Sequence, residues 1–214
     1  MSSSHLVIVC FAVKEEARFF NPHSEPERKI RTVLTGMGQR NAENVIRNVL
    51  SEQRPGLVLT CGFAGGLNPE FERGRVIFSE DGETHLHSAL LASGATPALF
   101  HCAEQVATTA AQKRNLRQTT GADAVEMESG IICNICRAYA IPSGTVRVVL
   151  DTSDDDLPLD FNKLMTADQR MDYGKLAMSL LRSPGKIPAL LRLQKQATAA
   201  AQKLAMVLNR VLLR

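Results

Sequence analysis

The chain has 214 residues, 44% of them hydrophobic and 22% charged, a length and balance that suit one globular domain and exclude a disordered, collagen-like or fibrous chain. Aromatic residues make up 5%, with no Trp and two Tyr, which argues against a base-stacking surface and a nucleic-acid partner. The formal net charge of +3 is unevenly spread: eight basic and no acidic residues follow Asp172, leaving 17 basic against 22 acidic residues before it, so an acidic body carries a basic end.

In chain order, the apolar run from Leu6 to Val13 has no positive residue before it and no small-residue cleavage site after it, so it reads as a strand and not a signal peptide. Short Val-, Ile- and Leu-rich runs then alternate with helical periods, the pattern of an α/β sheet covered on both faces. The expected strands are His5 to Phe11, Lys29 to Leu34, Gly56 to Thr60, Arg75 to Phe78, Pro97 to Cys102, Ala124 to Met127 and Thr145 to Leu150. Helices are expected to begin near Lys14, Gln39, Ala110 and Glu128, and Ala42, Val45, Ile46 and Val49 form an apolar core stripe on the second. From Met171 the pattern becomes helix, break, helix, with a turn at Ser183-Pro184-Gly185, Pro188 in a first helical turn, and a stripe of Leu204, Val207, Leu208, Val211 and Leu212. Residues 1–214 thus form one domain with a basic helical extension from about 173. That extension docks on the sheet or a partner subunit, or lies on a membrane surface.

No apolar run approaches the ~18 residues of a spanning helix, and an odd count of five cysteines suggests reduced thiols, so the expected location is cytoplasmic unless the tail brings the chain to a membrane face. Cys133-x-x-Cys136 reads as two buried thiols on one helix face, and His85-x-His87 as surface strand. No metal site or cofactor is expected. Gly36-x-Gly38 lacks the third glycine and acidic partner of a dinucleotide fingerprint, and the acid run after Asp151 lacks the glycine and closing Glu of a calcium loop.

Three segments after predicted strands stand where an open α/β sheet gathers its ligand. Two are glycine-bearing turns, Thr35 to Ala42 and Thr60 to Leu67. The third, Gly121 to Gly130, holds Glu126 and Glu128 at a strand end, two like charges that a fold tolerates when exposed or used by a ligand. Strand periodicity lets both face one pocket, with Met127 beneath. Asp154, Asp155 and Asp156 read as solvated loop, whereas Asp151, the first polar residue after an apolar run, is aimed inward.

Taken together, Ala12-Val13-Lys14-Glu15-Glu16, Gly36-x-Gly38, Cys61-Gly62-x-Ala64-Gly65-Gly66-Leu67, Val125-Glu126-Met127-Glu128-Ser129 and Arg147-x-x-x-Asp151 resemble the purine nucleoside phosphorylase and methylthioadenosine/S-adenosylhomocysteine nucleosidase superfamily over nearly the whole chain. Residues Ser179 to Leu190 further resemble its hopanoid-associated branch, which acts on adenosylhopane.

The resemblance implies a three-layer α/β/α sandwich with a mixed central sheet, a homodimer or larger, that breaks the N-glycosidic bond of a purine nucleoside, possible lipid linkage included. It implies Asp151 as the acid toward purine N7, and Glu16 as the residue that positions and deprotonates water. Arg147 is then a cation near that water and the acid. Glu128 binds the ribose hydroxyls with Met127 against the sugar and Glu126 close by, and Gly62, Phe63, Ala64 and Gly65 contribute to the substrate wall.

Phe63 stands where the family commonly has Ser, and no aromatic occupies the Gln105-Val106 region where one commonly contacts the base. Phosphorylases of the family hold phosphate at positions that correspond to Thr60 and Phe63, neither of which is cationic, so water is favoured over phosphate unless Arg18, Arg40 or a neighbouring subunit's Arg restores the site. The alternatives are phosphorolysis, or a non-catalytic nucleoside-binding or membrane-associated protein on the same fold.

Overall fold

The computed structural model describes residues 6–22 and 29–213, so His5 and Arg214 lie outside the described residues. An eight-stranded mixed sheet runs through the chain. It is built from β1 (Leu6–Phe11), β2 (Lys29–Leu34), β3 (Leu57–Gly66), β4 (Val76–Asp81), β5 (Thr96–Pro97), β6 (Phe100–Cys102), β7 (Ala124–Glu126) and β8 (Ser143–Asp151). The main path is β2-β1-β3-β8-β4-β5, parallel from β2 to β8, with β4 antiparallel to β8. Near its end β3 also pairs antiparallel with β7, which carries β6.

Strict alternation along β1 divides the core. Val7, Val9 and Phe11 face one side, while Ile8 and Cys10 face the other. The second side is covered by α2 (Gln39–Glu52) and α5 (Ser129–Ala138), through Ala42, Ile46 and Val49 and through Ile132, Ile135 and Cys136. On the first side, α1 (Lys14–Ala17) and α3 (His87–Ala92) accompany α8 (Ile187–Leu212), whose Ala200, Leu204, Val207, Leu208 and Val211 are buried. The α/β sandwich with a mixed sheet is therefore as expected, and the second half of the basic tail docks on the sheet. The remaining helices are α4 (Ala110–Thr120), α6 (Phe161–Leu164) and α7 (Tyr173–Arg182); a 3₁₀ turn at Pro184–Lys186 separates α7 from α8.

Several expectations are corrected. Thr60 to Leu67 is not a turn but the continuation of β3, because its glycines let β7 and β8 approach: a Cβ on Gly65 would stand 3.2 Å from Val125 Cγ1, and one on Gly66 3.2 Å from the Asp151 carbonyl oxygen. The run from Pro97 to Cys102 is two short strands, not one. His85 and His87 are not on a strand: His85 has φ 59° in a loop, and His87 opens α3, pairing with Glu80 at 2.7 Å. Cys136 is buried as expected, but Cys133 is only half-buried.

Candidate active site

The ends of β1, β3, β7 and β8 open onto one cavity of about 510 Å³. Its floor and near walls are Ala12, Val13, Glu15 and Glu16 after β1, Phe63, Ala64 and Gly65 of β3, Val125 to Glu128 at the end of β7, and Leu150 and Asp151 of β8. Gln105, Val106, Leu157, Phe161 and Met171 continue the wall, and Leu190, Leu193, Gln194 and Ala197 of α8 complete it.

Asp151 is aimed by a bulge. The register between β3 and β8 slips between Ala64 and Gly65, so that Gly65 meets Asp151 where Leu150 would otherwise stand. Burial pushes the Asp151 carboxyl up, and the Lys113 ammonium, in direct contact with Oδ2, pulls it back; the balance is a raised pKa.

Glu16 sits on the single turn of α1 and is buried. Its Oε2 accepts from the amides of Ala12 (2.9 Å) and Val13 (3.2 Å), and its Oε1 from the amide of Phe63 (2.8 Å), which ties the end of β1 to the middle of β3. Burial raises its pKa against the opposing pull of Arg147 and these amides. Gly62 explains how the side chain reaches that place: a Cβ there would lie 2.3 Å from Glu16 Oε1 and 2.6 Å from Arg147 Nη1.

Glu126 and Glu128 do face one pocket, but as buried groups. Glu126 Oε2 accepts from the amides of Glu128 (2.9 Å) and Ser129 (2.7 Å), and its Oε1 from the Ser129 hydroxyl (2.7 Å). Glu128 ends the strand geometry at the start of α5, and its Oε1 accepts from the Gly38 amide at 2.8 Å, a glycine with φ 81°. Beneath them Arg147, 1% exposed, donates through Nη2 to Glu126 (2.5 Å), Thr60 Oγ1 (3.1 Å) and Glu128 (3.3 Å). Burial opposes the guanidinium charge, but Glu126, Glu128 and Glu16 outweigh it and hold it cationic. Burial also raises Glu128, with Arg147 pulling down and the neighbouring glutamates pushing up.

Of the residues expected in the site, Glu16, Phe63, Ala64, Gly65, Glu126, Met127, Glu128 and Asp151 line the cavity. Arg147 and Gly62 do not: they lie behind the carboxylates, and the cation against Asp151 is Lys113 instead. Neither Arg18 nor Arg40 lines the cavity. Asp155, expected in solvent, is half-buried and accepts from Thr152 N, Thr152 Oγ1 and Arg73.

Sequence reasoning missed Lys113 and Phe161. A lone Lys in a polar helix carries no mark of burial. Phe161 is remote in sequence from Gln105-Val106, yet Asn162 clamps that wall by accepting from Val106 N and donating to Val106 O, both at 2.9 Å. An aromatic thus does line the cavity, from a different segment. Among the described residues no group of three or more His, Cys, Asp or Glu is arranged to hold a metal.

Known proteins resemble the chain in sequence and in fold. The family model described as the Phosphorylase superfamily matches residues 96–182. A 5'-methylthioadenosine/S-adenosylhomocysteine nucleosidase of Glaesserella parasuis serovar 5 is 25% identical over 170 residues, 64% of this chain and 74% of that protein. The nucleosidase of the same description from Neisseria meningitidis, solved with methylthio-immucillin-A, superposes with a TM-score of 0.71 at 16% identity, covering 97% of this chain and 98% of its own. Futalosine hydrolase of Helicobacter pylori superposes with a TM-score of 0.67 at 13% identity over 95% and 97% of the two chains.

Proposed function

We propose that this chain, whose residues 96–182 match the Phosphorylase superfamily and which resembles a nucleosidase in sequence, hydrolyses the N-glycosidic bond of a purine nucleoside, an adenosine derivative, releasing free base. One observation carries the choice of water over phosphate. The ionisable groups lining the cavity are Glu15, Glu16, Glu126, Glu128 and Asp151, with no Lys or Arg among the described residues of the lining. A phosphate dianion there would be desolvated among carboxylates without a cationic partner, whereas a ribosyl cation would be stabilised.

In the mechanism, Asp151 in its acid form gives its proton to purine N7 as the C1′–N9 bond breaks and its electron pair passes into the base. Glu16, as carboxylate, takes a proton from the water whose oxygen bonds to C1′. One water is consumed, ribose with a free 1-hydroxyl and neutral base leave, and the proton gained by Glu16 returns to Asp151 through solvent. Glu128 binds the ribose hydroxyls with Met127 against the sugar. Arg147 holds Glu126 and Glu128 in place from behind. Product analysis with adenosine, methylthioadenosine, inosine and a long-chain 5′-substituted adenosine tests this. Free ribose at a rate indifferent to phosphate is the expected result; ribose 1-phosphate with saturable phosphate dependence would overturn it.

The far wall supports an apolar group on the 5′ carbon, lipid linkage included: Leu157, Phe161, Met171, Leu190, Leu193 and Ala197 offer it little but hydrocarbon. On the outer side of the same region α7 buries no residue, and Tyr173, Met178, Leu181, Ile187 and Leu191 are exposed among Lys175, Arg182, Lys186, Arg192 and Lys195. We propose that this surface holds a cytoplasmic enzyme peripherally at an anionic membrane, each basic residue contributing about 1 kcal/mol. Cosedimentation with anionic but not neutral vesicles at low salt is expected. Equal sedimentation with both, or with neither, would leave the first half of α8 as cavity wall alone.

A further inference from the structure

We infer that Lys113 is a positioning residue for the acid of this site, fixing one oxygen of Asp151 and supplying the charge against which the spent carboxylate forms. The inference rests on Asp151 being the proton donor. Lys113 lies in the first turns of α4, its amide donating to the Thr109 carbonyl at 3.1 Å, and its side chain is wholly buried. An ammonium has three donors and no acceptor. Here they meet Asp151 Oδ2, the Thr152 carbonyl (2.7 Å) and the Asp155 carbonyl (2.8 Å), so the head group is saturated by one short segment of chain. That segment is itself fixed: Asp155 Oδ2 accepts from Thr152 N and Oγ1 at 2.7 Å each and from Arg73 at 2.6 Å, while Arg73 Nε donates to the Leu150 carbonyl at 3.0 Å.

Burying a lysine in a place that a methionine could fill costs stability unless the charge is used. Its use follows from the direction of the reaction. With Oδ2 held, Oδ1 remains for the leaving base. As Asp151 passes its proton to N7, the new carboxylate appears beside an ammonium already in place, which needs no rearrangement and keeps all its own protons. The other charged groups that act on Asp151 are Asp155 and Arg73, and the cavity adds Glu15, Glu16, Glu126 and Glu128; replacing Lys113 removes none of these charges.

The test is Lys113→Met in the full chain, assayed on two substrates across pH. With an adenosine-type nucleoside, kcat should fall about 10²-fold near neutrality, the scale of a misplaced catalytic group. The alkaline limb of the rate profile should move to higher pH, because a carboxyl without its neighbouring cation holds its proton longer. With 4-nitrophenyl β-D-ribofuranoside, whose leaving group needs no proton, the loss should be within about 3-fold, since general-acid catalysis adds little there. That second substrate also reports that the variant is folded. Equal loss on both substrates, or an unmoved alkaline limb, would make Lys113 a structural staple and overturn the inference. Wild-type chain that cleaves neither substrate would instead sink the nucleosidase assignment, and the inference with it.

Discussion

At the scale of single residues, the site divides into groups that face the cavity and groups that hold them. Asp151→Asn should cut base release by about 10²- to 10⁴-fold, the range for loss of a general acid, since an amide has no carboxyl proton to give, and should lower stability as well, because the buried Lys113 ammonium loses its counter-charge. A steady-state assay beside an unfolding curve checks both halves of that statement. The raised pKa values of Glu16 and Asp151 predict a bell-shaped dependence of kcat/KM on pH. In the proposed mechanism Glu16 works only as carboxylate, so activity is lost on the acid side as it gains a proton; Asp151 works only as acid, so activity is lost on the alkaline side as it loses one. Both limbs should lie above the usual carboxylate range. Gly62→Ala forces a Cβ into Glu16 and Arg147 and should cost at least about 10²-fold in kcat, whereas Gly185→Ala, with nothing within 4 Å, should be neutral in the same assay. Asp151 was legible in the sequence as a polar residue ending an apolar run. Lys113 was not, because its burial comes from where α4 meets the loop after β8, a meeting no local pattern records.

Elements differ in how openly the sequence declares them. The alternation of β1 and the stripes of α2 and α8 stand out because each buries a face over two or more helical turns or several strand steps. The six residues of α3 are too few to display a period, and only Leu90 among them is buried. The extension of β3 through its glycines escaped for a different reason: glycine signals a turn locally, but here it makes room for the strands on both sides. The tail shows both outcomes within one region. Leu204→Ala, at a fully buried position of α8, should destabilise the fold by about 2–5 kcal/mol in denaturant titration. Leu181→Ala, on a residue 78% exposed, should stay within about 0.5 kcal/mol of the parent while weakening cosedimentation with anionic vesicles.

For the whole molecule, the charge asymmetry read from composition has a spatial meaning. Carboxylates converge on the cavity, whereas the basic residues of α7 and early α8 are exposed to solvent, those of α8 on the same helix that walls the cavity. That convergence was legible only as far as family resemblance reached, because it depends on which strand ends adjoin, and β8 lies beside β3 only through a crossover. One long helix joins the two regions. α8 runs for 26 residues, about 39 Å, but its buried residues begin at Ala200; the 13 residues from Ile187 to Ala199, about 20 Å, reach past the core to the cavity wall. Mechanically this is a cantilever, clamped in the core at one end and loaded at the other by whatever fills the cavity. Flexing of the beam would admit a bulky substrate without opening the fold. Amides of 187–199 should exchange with deuterium far faster than those of 200–212 in the free protein, and a bound nucleoside analogue should slow the first set while leaving the second unchanged.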